Sequence, residues 1–175
     1  MKKEAIVILA CSKKKLFKPI NRIMVSAKNL YQGPVFRKGR ILAEETNSGY
    51  FILSAQHGIV SPNEKLKSYN CCLGAKNKYC EISVDRFLNK SQKRKKQVLN
   101  WRSDFNKKKI LLIGGNTYYT QALKEILQNN FYYLSMSFFK TNFIKQFLRK
   151  SLKKKKINFK NNKIKLCEIK HGAKK

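Results

Sequence analysis

Acidic residues are scarce in this 175-residue chain, and their scarcity limits the chemistry that it can perform. Only 9 Asp and Glu residues stand against 40 Lys and Arg, so the formal net charge is +31. No pair of carboxylates stands out, and Glu44, Glu45, Glu81 and Asp85 are best interpreted as residues on helix surfaces. Two-metal phosphoryl chemistry, which depends on such pairs, is therefore not expected.

Long apolar runs and metal-binding cysteine pairs are missing as well. No apolar run approaches the roughly 18 residues of a membrane helix, and the N-terminus lacks the apolar core of a signal peptide. We therefore expect a cytoplasmic protein with no membrane partner. The five cysteines are Cys11, Cys71, Cys72, Cys80 and Cys167. They are predicted to be reduced thiols, and because their spacing fits no zinc pattern, no metal or other cofactor is predicted.

The chain alternates between apolar strands and helical segments. Strands are predicted near residues 4–10, 49–53, 109–113 and 131–136, helices near 34–46, 83–101, 118–127 and 139–153, and a loop over 58–69. This alternation predicts an α/β fold: a single domain over residues 1–153 with a mainly parallel central sheet of about four strands flanked by helices. The lysine-rich residues 154–175 are predicted to form a basic, mobile C-terminal arm with one short strand near 164–167.

The charge of +31 favours a polyanionic partner, because Lys and Arg that displace counterions from phosphates supply most non-specific affinity for nucleic acid. DNA is favoured over RNA. The excess is nearly all lysine, however, and asparagine is frequent too. An AT-rich genome would produce the same bias without any selection for binding, so composition alone leaves both explanations open.

Cys11, Ser12 and Lys13 follow the first strand directly and offer a thiol, a hydroxyl and a cation in one loop. Lysines beside a cysteine stabilise its thiolate, and exposed backbone N–H groups can hold an anion. A lysine in a pocket could also form a Schiff base with a sugar aldehyde. The alternative is that Cys11 is a small buried hydrophobe at a strand end and that the lysines are simply solvated.

The stretch from Ser54 to Pro62 follows the second strand and contains His57, the only histidine outside the tail. Histidine is the side chain best suited to proton transfer near neutral pH, and Gly58 would allow a ligand to approach the backbone closely. The alternative is that His57 merely caps a turn. Because the carboxyl ends of parallel strands meet at one edge of a sheet, this stretch and the Cys11 loop are predicted to form one shared site.

Gly114 to Thr117 joins the third strand to a helix. Gly115 and Asn116 could present backbone amides to a phosphate at the helix N-terminus, although Asn116 or Thr117 could equally be a plain N-cap. No Walker or dinucleotide motif is present in the sequence. Tyr31, Tyr69, Tyr118 and Tyr119 could stack on bases, although each such tyrosine more often belongs to the core or its rim.

Taken together, five motifs resemble a known family. They are Ala10-Cys11-Ser12-Lys13, Leu30-Tyr31-Gln32-Gly33-Pro34-Val35-Phe36, Leu53-Ser54-Ala55-Gln56-His57-Gly58-Ile59-Val60-Ser61-Pro62, Tyr69, and Gly114-Gly115-Asn116-Thr117-Tyr118. Over residues 5–135 the chain resembles the YaaA-like peroxide-stress family of small bacterial and phage domains, and more weakly the uracil-DNA-glycosylase-like fold. The resemblance implies association with DNA, protection from oxidative DNA damage, or removal of bases. The positions carried over are Cys11, Ser12, Lys13, Tyr31, Ser54, His57, Gly58, Pro62, Tyr69 and Gly115.

The first hypothesis is a nucleic-acid-associated protein whose pocket receives a nucleobase or nucleotide, with cleavage of an N-glycosidic bond. In it His57, Ser54 and Lys13 are catalytic, a tyrosine stacks on the base and lysines bind phosphates. The alternative is a non-catalytic, YaaA-like DNA-binding protein. The family usually has an acidic residue after the Tyr69 position, and Asn70 in its place favours this alternative. A third hypothesis is a small-molecule nucleotide enzyme whose charge reflects only genome composition.

Overall fold

The computed structural model describes residues 5–17, 23–45, 49–74, 81–105, 108–115, 117–127, 131–134 and 167–169. The strands in these ranges are β1 (Ala5–Ala10), β2 (Met24–Ser26), β3 (Gly49–Ser54), β4 (Gly58–Val60), β5 (Lys65–Lys67), β6 (Cys72–Leu73), β7 (Glu81–Ile82), β8 (Lys109–Ile113), β9 (Phe131–Leu134) and β10 (Cys167–Ile169). The helices are α1 (Ala27–Leu30), α2 (Pro34–Glu45), α3 (Val84–Leu88), α4 (Gln92–Phe105) and α5 (Thr117–Leu127).

Six strands form one sheet in the order β10-β9-β8-β1-β3-β4. The inner four, β9, β8, β1 and β3, are parallel, and the edge strands β4 and β10 are antiparallel to their neighbours. β1 is apolar throughout because both of its faces are covered, as is usual for a central parallel strand. The predicted α/β fold with about four mainly parallel strands is confirmed.

Helices cover both faces of this sheet. α2 packs on the face that carries Val7 and Leu9 of β1, whereas α3, α4 and α5 pack on the face that carries Ile6 and Ile8. From β1 the chain crosses through α2 to β3 on one side, and from β8 it crosses through α5 to β9 on the other. The direction of winding therefore reverses between β1 and β8, and such a switch point opens a crevice at the carboxyl ends of the two strands.

Two predicted elements differ from the structure. The segment predicted as a loop over 58–69 contains β4, which is antiparallel to β3, and β5, which pairs with β2. The helix predicted over 83–101 is divided into α3 and α4. Each of these helices begins with its own serine cap: the Ser83 hydroxyl accepts the backbone N–H of Arg86, and the Ser91 hydroxyl accepts that of Arg94. Two N-caps in succession specify two helices rather than one.

The cysteines are only partly as predicted. Cys11 and Cys72 are thiols, but Cys71 is disulfide-bonded, so the prediction of reduced cysteines is wrong there. Disulfide formation depends on tertiary proximity of two sulfur atoms, which sequence spacing does not reveal. In the described part of the chain no helix is long and apolar enough to span a membrane, and no three potential metal ligands cluster.

Most of the C-terminal region predicted from sequence lies outside the described residues. This applies to the helix predicted over 139–153 and to most of the basic arm over 154–175. Within that arm, β10 pairs with β9 at the edge of the sheet. The division of the chain at residue 153 stays a prediction.

Candidate functional site

A cavity of about 430 Å³ opens at the switch point, where β1 and β8 end. Its lining comes from the loop after β1, the start of α2, the Gly-Gly turn after β8, and single residues of β6 and α5. The residues are Ala10, Cys11, Ser12, Lys13, Lys14, Gly33, Pro34, Val35, Phe36, Cys72, Gly114, Gly115 and Tyr119. Its volume lies within the range of about 300–1,000 Å³ that is typical of small-molecule sites.

Backbone and hydroxyl hydrogen bonds fix the loop after β1. The N–H of Cys11 donates to the carbonyl of Leu53 at 3.0 Å and so extends the pairing of β1 with β3. The Ser12 hydroxyl accepts the N–H of Gly33 at 3.0 Å and donates to the carbonyl of Lys14 at 2.7 Å. Ser12 thus ties the loop to the start of α2 and lines the cavity.

The Cys11 thiol lies between two phenols. Its Sγ is 3.1 Å from the hydroxyl of Tyr119, and a hydrogen bond from the Tyr69 hydroxyl also reaches it. Burial raises the pKa of Tyr119, and the nearby Cys11 raises it further, so this phenol stays protonated and can donate to the sulfur. The sequence singled out Cys11, and it offered Tyr119 only as one of four tyrosines that could stack on a base, not as a partner of the thiol. The available signal was its place in the first turn of the helix that follows the Gly-Gly turn.

Among the described residues, the charged side chains that line the cavity are all cationic. Lys13 and Lys14 are exposed at its wall, and the lining includes neither Asp nor Glu. A third cation, Lys15, lies under the loop: its Nζ is 4.3 Å from the ring centroid of Tyr69 and donates to the Ser12 carbonyl at 3.3 Å. Burial lowers the pKa of Lys15, although the nearby Cys11 and Cys72 partly raise it. A cation concentration of this kind favours an anionic ligand.

The sequence favoured Lys13 as the lysine that carries chemistry and gave no separate signal for Lys15. Lys15 forms an isolated antiparallel bridge with Tyr31, and its backbone is anchored next to that residue, whereas Lys13 belongs to the loop before the bridge. Lys13, Lys14 and Lys15 are consecutive and alike in the sequence. Only the β-bridge to Tyr31 distinguishes Lys15, whose side chain is directed towards the protein.

The residues predicted after β3 form a separate, closed group. The Tyr69 hydroxyl is 2.9 Å from that of Tyr31 and 2.8 Å from that of Ser54. We call these three residues the hydroxyl cluster. Ser54 and Tyr31 are both 0% exposed, and none of the three residues lines the cavity, although Tyr31 packs on Phe36, which does. The predicted stacking of Tyr31 on a base is therefore wrong, because its ring is in the core and packs on Phe36.

His57 packs against this cluster rather than into the cavity. Its ring meets the Tyr69 ring edge to face at a centroid distance of 5.3 Å, and its backbone N–H donates to the Ser54 hydroxyl at 3.1 Å. Ser54 thus contacts the backbone of His57, not its imidazole, and the two do not form a nucleophile and base pair. Burial lowers the pKa of His57, and the positive charges of Lys90 and Arg94 lower it further.

Gly58 is closely approached, but by the protein's own side chains. Its φ is +88°, and a Cβ there would collide with the ring of Trp101 and the guanidinium of Arg94. Arg94 also donates to the carbonyl of Gln56 at 3.0 Å, so it holds the β3–β4 turn from beneath. The predicted role of Gly58 in ligand approach does not fit this packing.

Gly115 lines the cavity as predicted, and it too needs to be glycine. Its φ is +88°, and a Cβ would lie 2.9 Å from the Cβ atoms of Ala10 and Tyr119. Pro62 lies off the cavity, where its carbonyl accepts a backbone hydrogen bond from α1 at 2.9 Å. Asn116 lies outside the described residues. The structure thus brings together Cys11, Ser12, Lys13 and Gly115 of the predicted site.

These features define a doubly wound α/β domain with an open, cation-lined cavity at its switch point. The chain belongs to a family of unknown function, DUF6884, whose model matches residues 6–149. No curated protein and no solved structure matches it. The match covers the sheet from β1 to β9, both helical layers and every residue that lines the cavity.

Proposed function

We propose that this protein binds nucleic acid and receives one nucleotide of it in the switch-point cavity. One observation carries the proposal: a cavity of nucleotide size lies at the carboxyl ends of β1 and β8, and its charged lining among the described residues, Lys13 and Lys14, is entirely positive. Phosphate groups suit such a lining because ammonium groups and backbone amides at a loop before a helix both favour anions.

The rest of the lining suits a nucleobase. Ala10, Pro34, Val35 and Phe36 give one apolar wall, and the polar atoms of Cys11, Ser12 and Tyr119 stand beside it. Pockets that accept a base removed from its stack combine an apolar surface with a few hydrogen-bonding groups that read the base edge.

Binding without catalysis is favoured over cleavage of an N-glycosidic bond. A hydrolytic mechanism needs a group that activates water, and the described lining includes no carboxylate. His57 and Ser54, which the sequence suggested for this role, lie outside that lining. The proposal therefore corresponds to a DNA-binding protein of the kind that the resemblance to YaaA implies, acting in the cytoplasm.

A second candidate, base excision through a covalent intermediate, has one observation in its favour. Lys15 is a partly buried amine with a lowered pKa beside the cavity loop. The neutral amine would attack C1′ of the sugar as the base leaves with the bonding electrons and a proton, and ring opening would give a Schiff base. Borohydride reduction would trap this intermediate as a protein–DNA cross-link that is absent in Lys15→Met. DNA strands that stay intact after alkali, with no cross-link, would exclude it.

Alkylation of the cavity thiols tests the primary proposal. Cys11 and Cys72 both line the cavity, so bound oligonucleotide should slow their reaction with iodoacetamide, measured residue by residue by mass spectrometry. The variant Lys13→Gln/Lys14→Gln should need more oligonucleotide for the same protection. The matched control is Lys65→Gln/Lys67→Gln on β5, which removes two exposed charges away from the cavity. Unchanged alkylation of both thiols with DNA demonstrably bound would contradict the proposal.

A further inference from the structure

The turn between α3 and α4 carries a second concentration of positive charge. Its exposed cations are Arg86, Lys90, Lys93, Lys95 and Lys96, and we call this surface the α3–α4 corner. Burial lowers the pKa of Lys90, and the positive charges of the nearby Arg94 and Arg86 lower it further. Between residues 83 and 96 the sequence has a single acidic residue, Asp85 in the first turn of α3.

Helix stability does not explain these charges. The N-terminus of a helix carries the positive end of its dipole, so acidic residues are favoured in the first turn and basic ones are unfavourable. The first turn of α4 has no acidic residue and contains Lys93, Arg94 and Lys95. A capping box would place Glu or Gln three residues after Ser91, and Arg94 stands there instead.

Arg94 fixes the corner rigidly to the sheet. It is 5% exposed, its guanidinium stacks on Phe87 and Trp101 at 4.9 and 5.5 Å, and one of its nitrogens donates to the Gln56 carbonyl. Its other terminal nitrogen is buried and has no hydrogen-bond partner among the described residues. Since Arg94 faces inward and is bonded to Gln56, the helix start that carries the exposed lysines is anchored to the β3–β4 turn.

The corner lies at the same edge of the sheet as the cavity. α4 ends just before β8 begins, so its N-terminus points back to the carboxyl edge of the strands. Contacts then lead from Arg94 through Gln56 to the His57 ring, which packs on Tyr69. Tyr69 in turn packs under Lys15, whose Nζ reaches the cavity loop at Ser12.

We propose that the α3–α4 corner binds the phosphate backbone of a single nucleic-acid strand, of which one nucleotide enters the cavity. This inference rests on the proposed function for its partner and adds a second binding surface. A single strand is favoured because its nucleotides leave the stack without the cost of breaking base pairs. Several lysines exposed around the start of one helix fit a repeating chain of phosphodiesters better than a lone anion.

Salt dependence of binding tests the inference. The corner variant is Lys90→Gln/Lys93→Gln/Lys95→Gln/Lys96→Gln. The control variant, Lys38→Gln/Lys65→Gln/Lys67→Gln/Lys108→Gln, removes the same number of exposed charges elsewhere. Affinity for a labelled 30-nucleotide single strand and for its duplex is measured over a series of salt concentrations. For every phosphate that the variant no longer neutralises, the slope of log K against log salt should become shallower by about 0.7 on single strands.

The expected result is a shallower slope and weaker single-strand binding for the corner variant, with the control close to the unaltered protein. Equal slopes for the two variants would overturn the inference, because the removal of four charges would then weaken binding equally wherever on the surface they lie. A change seen only on the duplex would overturn the choice of a single strand. Cys11 alkylation separates the two proposals. If the corner variant weakens binding but the oligonucleotide protects no cavity thiol, the corner is a binding surface and the cavity does not receive a nucleotide.

Discussion

The cavity and the hydroxyl cluster lie side by side at one edge of the sheet, yet they differ in almost every physical respect. The cavity is open, cation-lined and bounded by loops and helix starts. The hydroxyl cluster is closed, with Ser54 and Tyr31 fully buried and their hydroxyls bonded to Tyr69. Burial raises the pKa of Tyr31 and of Tyr69, so both phenols stay neutral.

Residue type is therefore a poor guide to which part of a sheet edge is open to a ligand. Serine, histidine and tyrosine are the residue types usually sought for catalysis, and here they supply the internal support of a turn. The cavity beside them is lined largely by small, apolar and lysine residues. Buried polar groups must be hydrogen-bonded, and the hydroxyl cluster satisfies that requirement within the protein.

A substitution in the tightly packed β3–β4 turn, next to the hydroxyl cluster, should have the largest effect on stability. Gly58→Ala places a Cβ against Trp101 and Arg94 in a backbone with φ of +88°, so we expect a loss of about 2–4 kcal/mol in the free energy of unfolding. Urea denaturation measures it. Gly114→Ala at the cavity is the control: its φ is +78°, but a Cβ would contact only Val35, at 3.1 Å, so its loss should be smaller. Equal losses in the free energy of unfolding would show that the positive φ, and not the collision of the added Cβ, sets the cost of both substitutions.

Removing one hydroxyl from the hydroxyl cluster should lower the free energy of unfolding by a smaller amount. Ser54→Ala takes a buried hydrogen-bond partner from both the Tyr69 hydroxyl and the His57 N–H, and we expect a loss of about 1–3 kcal/mol. Ser12→Ala is the matched change at the cavity, where water can take the place of the hydroxyl. Differential scanning calorimetry should show a larger drop in Tm for Ser54→Ala. The reverse order would contradict the division into a closed and an open region.

A charge reversal at the α3–α4 corner should separate stability from binding. Lys93→Glu places an acid in the first turn of α4, so the free energy of unfolding should rise by about 0.3–1 kcal/mol. Binding to a single-stranded oligonucleotide should weaken at the same time. Lys38→Glu, in the middle of α2, should change stability little. A stabilised Lys93→Glu protein with unchanged affinity would mean that the corner binds no phosphate.

The smallest effect is a pH dependence from His57. Its folded pKa lies below the ordinary value of about 6.5, so the unfolded chain binds the proton more tightly. The stabilising contribution is complete above about pH 6.5 and is lost as the pH falls towards the folded pKa. Unfolding measured at about pH 7.5 and about pH 5.5, on either side of the ordinary pKa, should therefore show a smaller acid-induced loss for His57→Gln. An identical loss in both proteins would rule out His57 as the cause.

The elements that depend on local pattern are specified by short stretches of the chain. Continuous apolar runs such as residues 6–10 and 110–113 specify strands covered on both faces, and their alternation with helices specifies a parallel sheet. Ser83 and Ser91 mark helix starts through their own side chains. The cavity loop at Cys11 and the turn at Gly115 were also found, since small and reactive residues there follow strand ends directly.

Which strand ends meet and which side chains are buried depends, by contrast, on the packing of the whole chain. Cys11 and Tyr119 are in contact at 3.1 Å although 108 residues separate them, and no local pattern encodes that distance. The inward turn of Lys15 depends on its bridge with Tyr31, and the burial of Ser54 depends on Tyr69. Propensity and periodicity act over a few residues, whereas burial is a property of the packed chain.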